Sequence, residues 1–168
     1  MPAASVYVAF GSNLGDRQAN IDRAVSLLKE DEDIEVQAVS KVIETDFQGE
    51  GPEQGKFLNG VLCLKTDLLP LDLLSRLKGV ERRLGRMKTQ GVNQPRTLDL
   101  DILFYNDVII VEGKNLHIPH PRLEERLFVL EPLAELAPGL KHPRSGKTVE
   151  ELYRECLQHA SPSEPQSA

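Results

Sequence analysis

The 168-residue chain contains no tryptophan, only two cysteines and no excess of positive charge. Each scarcity removes a class of protein. Cys63, in a strand-like run, and Cys156, near the end, supply neither a disulfide framework nor a zinc ligand set, so both read as packing residues. No apolar stretch approaches the roughly 20 residues of a membrane-spanning helix. The opening "MPAASVYVAFGSN" has no basic segment before its short apolar run, so no signal peptide is expected and the protein is expected in the cytoplasm. Against 26 acidic residues stand 20 Lys and Arg, a net charge of −6. That balance works against general nucleic-acid binding, which rests on neutralising many phosphates at once.

What is present fits one globular domain, expected over 1–160, with the polar tail 161–168 disordered. "SVYVAFG" alternates apolar residues up to Gly11 and predicts a strand; from Asp16 to about Leu28, the positions Ile21, Ala24, Val25 and Leu28 fall at helical spacing. "IEVQAVSKVIET" (34–45) and "FLNGVLCLKT" (57–66) read as strands separated by the glycine- and proline-containing "GEGPEQGK". A helix over 69–86 follows, with Pro70 in its first turn and Leu73, Leu74, Leu77, Val80 and Leu84 on its inner stripe. Then comes the strand in "QPRTLDLDILFYND", a short apolar run, and a last helix near 148–158. The order β-α-β-β-α-β predicts an α+β, ferredoxin-like antiparallel sheet with both helices on one face, the other face free, and C-terminal additions.

Two aspartates stand inside an otherwise apolar strand. Alternation places Asp99, Asp101, Leu103 and Tyr105 on one face and Leu98, Leu100, Ile102 and Phe104 on the core face. Alone, such a pair fits the solvated side of an ordinary sheet. It also fits a divalent cation, since same-face positions roughly 7 Å apart can approach one ion or a closely spaced pair, and all-oxygen donors favour magnesium or manganese. Arg82, Arg83, Arg86, Lys88 and Arg96, with no acidic residue between 82 and 96, and then Arg122 and Arg126 beside His117 and His120, suit a small polyanion such as a polyphosphate, or else the solvated face of a helix. On the 57–66 strand, Phe57, Asn59, Val61 and Cys63 share a face, so a ring and an amide lie side by side. They could be a core Phe and an exposed Asn, or a reader for a flat heteroaromatic ring with a lactam edge. "GSNLGD" (11–16) lacks the Lys-Ser/Thr of a P-loop and reads as a bend at Gly11 with Asn13 or Asp16 capping the helix.

Taken in order, "FGSNLGDRQANIDRAVSLL", "FLNGV", "PRTLDLDILFYND" and "IPHPRLEERLFVLEPLAELAP" resemble the 6-hydroxymethyl-7,8-dihydropterin pyrophosphokinase family of folate biosynthesis, over roughly residues 5 to 155. The resemblance implies a ferredoxin-like fold and transfer of the pyrophosphoryl group of ATP to the hydroxymethyl group of the pterin, giving AMP. It implies catalytic roles for Arg86, Arg96, Asp99 and Asp101, with two magnesium ions on Asp99 and Asp101. The pterin would lie between Phe57 and Phe128, with Asn59 on its edge and Thr45 and Asp46 lining the pocket. ATP would be held by Lys88, Arg96, His120 and Arg126, with Glu81, Ile102 and His117 nearer the nucleoside. The partners implied are these two small molecules, with no nucleic acid or membrane, and the chain is expected to be a monomer. Many members carry Arg-Trp-Gly before "PRTLDLD" on a loop that closes over ATP; here the segment is "GVNQPRTLDLD", so slower or looser closure is expected. Two other functions remain compatible with these residues. Nucleotidyltransferases also combine a Gly-Ser turn with a metal-binding D-x-D, though closer together in sequence, and a non-catalytic ferredoxin-like domain would have no need of a carboxylate pair beside an arginine.

Overall fold

A computed structural model describes residues 3–46, 55–85 and 97–159. Strands β1 (Ala4–Ser12), β2 (Ile34–Val39), β3 (Ile43–Thr45), β4 (Phe57–Thr66) and β5 (Asp99–Tyr105) form one antiparallel sheet in the order β2-β4-β1-β5, with β3 also paired to β4. Helices α1 (Arg17–Glu30) and α2 (Pro70–Arg83) pack on one face. The reason is the alternation read from the sequence: Val6, Val8 and Phe10 of β1, Leu62 and Leu64 of β4, and Leu100 and Ile102 of β5 are buried in one cluster with Ile21, Ala24 and Leu28 of α1 and Leu73, Leu77 and Val80 of α2. The cap of α1 is Asp16, whose side chain accepts from the Ala19 amide at 3.1 Å.

Three features differ from expectation. The run 34–45 is two strands rather than one, because Ser40 leaves the ladder: its amide donates to the Val61 carbonyl at 2.8 Å and its hydroxyl accepts from the Val61 amide at 2.9 Å. The second face of the sheet is not free. A 3-10 turn (Leu123–Glu125), α3 (Leu127–Leu136) and α4 (Val149–His159) cover much of it, burying Val61, Leu103, Phe104, Leu123, Val129, Leu130, Leu133, Val149 and Leu152 in a second core. The alternation of β5 also breaks. Tyr7 pairs with Phe104 but Val8 pairs with Ile102, so Leu103 is an extra, bulged residue. Phe104 therefore turns into the second core, and Tyr105 packs against the first. After the turn at Asn106 and Asp107, the short apolar run leads into a hairpin of β6 (Ile110–Glu112) and β7 (Leu116–Ile118). The tail 161–168 and the loop 86–96, with its expected closing motion, lie outside the described residues.

Candidate active site

The central strand sets the site. In the β1 register Gly11 stands opposite Asn59 on one side and Asp99 on the other, and Ala9 opposite Val61 and Asp101. Directly paired residues project to the same face, so Asn59, Gly11 and Asp99 make one row and Asp101 stands in the next. All lie on the second face, at the end where the second core stops. A Cβ on Gly11 would sit 3.0 Å from Asn59 Oδ1 and 3.5 Å from Phe57 Cδ1. The missing side chain leaves a floor between the amide and the carboxylate. Asn59 is 7% exposed and donates through Nδ2 to Thr45 Oγ1 at 2.6 Å, which locks the amide plane and leaves Oδ1 beside Gly11. Thr45, itself buried, pairs with Phe57 across β3 and β4. Arg17 brackets this corner, donating to the Lys56 carbonyl at 2.9 Å and to Glu44 Oε2 at 2.7 Å. Asp46 lies at the exposed rim, 3.8 Å from Lys56 Nζ.

Burial, and next the charge of Asp99, push the Asp101 carboxyl up to about 7, while Lys78 pulls it back toward ionisation. The neighbouring Asp99 carboxylate also favours a proton on Asp101. Two carboxyls forced to share a proton are a pair that a divalent cation can relieve. Among the described residues no group of three or more His, Cys, Asp or Glu gathers to hold a metal. An ion here would therefore have two hard oxygen ligands from the described protein and keep places for water and phosphate, which fits magnesium better than the filled N/S shell of structural zinc.

Beyond a cis Ile118–Pro119 peptide, His120 donates its amide to the carbonyl of the bulged Leu103 at 3.1 Å. Its Nδ1 accepts from the Arg122 amide at 3.2 Å. Burial, then the Arg126 charge, hold this imidazole down at about 4, so near neutrality it is uncharged with its proton on Nε2, a donor. Arg126 feels burial and Arg122, which lower its pKa, against Asp101 and Asp99, which raise it, so it sits within range of both carboxylates. Its guanidinium carbon lies 5.6 Å from the centroid of the Phe128 ring, a cation–π contact.

The structure thus gathers Thr45, Phe57, Asn59 and Gly11 at one side and Asp99, Asp101, His120 and Arg126 at the other. Ile102 is buried in the first core, and Glu81 is 2% exposed with Oε2 accepting from the Leu100 amide at 2.7 Å, so both side chains have interior surroundings rather than an open surface. His117 sits on the β6–β7 hairpin with Nε2 3.0 Å from the Gly113 carbonyl. Arg86, Lys88 and Arg96 fall outside the described residues. Gly11, Arg17 and Lys78 join the site only through contacts distant in sequence; the i,i+3 spacing of Lys78 and Glu81 is the one local signal for the last.

A family model described as 7,8-dihydro-6-hydroxymethylpterin-pyrophosphokinase (HPPK) matches residues 7–138. The 2-amino-4-hydroxy-6-hydroxymethyldihydropteridine pyrophosphokinase of Aquifex aeolicus is 43% identical over 152 residues, covering 90% of this chain and 92% of that protein. The enzyme of the same name from Bacillus subtilis is 43% identical over 149 residues, covering 88% and 87%. Folic acid synthesis protein fol1 of Schizosaccharomyces pombe is 41% identical over 145 residues, but this chain spans only 19% of its length. Among solved structures, a substrate complex of an HPPK-DHPS superposes with a TM-score of 0.72 at 17% identity, covering 94% of this chain and 44% of that one. The wild-type Plasmodium falciparum HPPK-DHPS with pterin and p-hydroxybenzoate gives 0.70 at 16%, covering 94% and 42%. This chain spans under half of those two-enzyme chains, and at such identity the likeness shows the fold alone. The family match and the relatives settle the rest: the chain belongs to the 7,8-dihydro-6-hydroxymethylpterin-pyrophosphokinase family, ATP-using diphosphotransferases of folate biosynthesis.

Proposed function

We propose that the reaction proceeds by direct attack of the pterin hydroxymethyl oxygen on the β-phosphorus of ATP. The new bond joins that oxygen to the β-phosphorus, the bond from the β-phosphorus to the α,β-bridging oxygen breaks, and AMP leaves with that oxygen while the hydroxyl proton is released. No covalent enzyme intermediate is needed, because in-line transfer between oxygens rests on positioning and charge stabilisation. The observation that supports this reading is the row Asn59–Gly11–Asp99 with Asp101 beside it, a buried amide and a carboxylate pair on one floor. The pterin stacks between Phe57 and Phe128, its ring N–H groups donate to Asn59 Oδ1, and Thr45 and Asp46 border it. His120 donates through Nε2 to a phosphate oxygen, and Arg126, supported on the Phe128 ring, adds fixed positive charge.

Asp99 and Asp101 are the groups that would hold magnesium, two ions in this reading, and the metal supplies charge neutralisation of the β- and γ-phosphates when bound. Arg86, Lys88 and Arg96 complete the phosphate site, with His117 toward the nucleoside. Among the described residues no helix is long and apolar enough to cross a membrane, and the chain acts as a cytoplasmic monomer on small molecules. Incubation with ATP, magnesium and the hydroxymethyl pterin yields AMP and the pterin diphosphate. Release of pyrophosphate would instead point to nucleotidyl transfer, and no nucleotide product to a binding domain. Asp101→Ala abolishes turnover with the fold intact; near-normal activity in that variant means that the metal assignment is wrong.

A further inference from the structure

In the sheet order β5 is terminal, with β1 on one side and no strand among the described residues on the other. The outward N–H and C=O groups of an edge strand need partners, and a buried one left without any is costly. At Leu100, the residue between Asp99 and Asp101, both partners come from α2. Glu81 Oε2 accepts the Leu100 N–H at 2.7 Å. Lys78 Nζ donates to that same oxygen at 3.1 Å and lies 3.4 Å from the Leu100 carbonyl oxygen. Glu81 is 2% exposed while the Lys78 side chain is 37% exposed, so the carboxylate is interior and the ammonium reaches in from the surface. Three residues apart, the pair offers Leu100 the acceptor and donor that a neighbouring strand would have supplied.

The Leu100 N–H belongs to the peptide that joins it to Asp99, and the Leu100 carbonyl belongs to the peptide that joins it to Asp101. Rotating either peptide swings the adjoining aspartate. We propose that Glu81 is a positioning residue: by accepting the Leu100 amide, with Lys78 on the carbonyl side, it fixes both peptides and so sets how the two carboxylates point toward a shared divalent cation. The inference rests on the metal reading of Asp99 and Asp101 given above. It also gives Glu81 a task other than touching the nucleoside, which would require a side chain 2% exposed to abandon the Leu100 amide.

The test uses the metal-free 168-residue chain and two variants. Exchange of the Leu100 amide with deuterium, followed by NMR, should run about tenfold faster in Glu81→Ala than in wild type, while Val8 and Val61 in the central strands are unchanged. Glu81→Gln, which keeps an acceptor oxygen but loses its charge, should fall between. Mn2+ binding, followed by electron paramagnetic resonance, should weaken roughly 10-fold or more in Glu81→Ala, as expected for loss of a group that orients metal ligands, with pterin affinity within twofold of wild type. Unchanged Leu100 exchange or unchanged Mn2+ affinity in a folded Glu81→Ala overturns the proposal. So does a defect confined to the preference for ATP over GTP. Should Glu81→Ala not fold, the Gln variant decides by the same two measurements. Neither readout depends on turnover, so a wild-type chain that made no AMP would overturn the proposed reaction while the exchange and Mn2+ measurements still decided the role of Glu81.

Discussion

Gly11→Ala isolates the floor of the site. The backbone of Gly11 lies outside the left-handed region, so an alanine meets no conformational penalty there, and its methyl has three near neighbours: Asn59 Oδ1 at 3.0 Å, Phe57 Cδ1 at 3.5 Å and the Leu58 carbonyl at 3.8 Å. Only the first is tight. Asn59 cannot swing freely, because its Nδ2 is held at 2.6 Å by Thr45 Oγ1, so the amide shifts by tenths of an ångström or that bond stretches. The cost to folding is small, since weakening one hydrogen bond costs about 1 kcal/mol and replacing glycine returns about 0.4–1 kcal/mol through the unfolded chain. The cost to the pterin is larger. A methyl beside Oδ1 denies the ligand its buried acceptor, worth about 1–3 kcal/mol, or roughly a 5- to 150-fold rise in Kd at about 1.4 kcal/mol per factor of ten. Isothermal titration with the pterin and with a non-hydrolysable ATP analogue measures both sites. Pterin affinity within twofold of wild type in a folded Gly11→Ala refutes the reading of Asn59 and Gly11 as the pterin floor.

Gly60 stands opposite Phe10 in the register, and a Cβ there would fall onto the Phe10 ring, which is 3% exposed in the first core. Gly60→Ala should therefore cost about 1–3 kcal/mol by overpacking, lowering Tm by roughly 2–4 °C per kcal/mol in a chain of this size; an unshifted melting curve contradicts it. His120, held at about 4 by burial and by Arg126, should show no imidazole titration between pH 5.5 and 8 by NMR. Because the unfolded ring takes up its proton near about 6.5, the stability contributed by the neutral native ring is full above that pH and drains away as pH falls toward about 4. A native midpoint near the ordinary histidine value would show that the ring is not enclosed as described. Asp101 has the opposite sign: its native carboxyl keeps a proton up to about 7 while the unfolded one releases it near about 3.9, so its contribution to the metal-free fold declines as pH rises between the two. A divalent cation competes with that proton, so Mg2+ affinity should climb with pH up to about 7 and level off above it. Calorimetry in two buffers of different ionisation heat reads the released proton at pH 6, and a flat affinity profile with no proton release refutes the competition.

Much of this molecule was legible in the periodicity of its sequence. Val6, Val8 and Phe10, the stripe from Ile21 to Leu28, and the stripe from Leu73 to Val80 each repeat at the spacing of their element, so strand and helix identities and the contents of the first core followed. That Phe57, Asn59 and Val61 share one face of their strand, and Asp99 and Asp101 one face of theirs, also followed from alternation alone, because a side-chain period of two needs no knowledge of the partner strand.

Other features came only from chains meeting in space. The bulge at Leu103 is a mismatch between β1 and β5, and it reverses which core receives Phe104 and Tyr105 without any mark in "DILFY" itself. The cover over the second face depends on where α3 and α4 dock, which local spacing does not encode. Gly11 reads as a bend until the register puts Asn59 and Asp99 on either side of it. Glu81 reads as one more charge on a helix until α2 lands against an edge strand whose amide needs an acceptor. The sequence by itself determined the elements, their faces and the chemistry each face carries, because these depend on neighbours along the chain. Only the tertiary structure decided which faces meet and which backbone groups need side-chain partners, because pairing register and edge exposure are properties of segments distant in sequence.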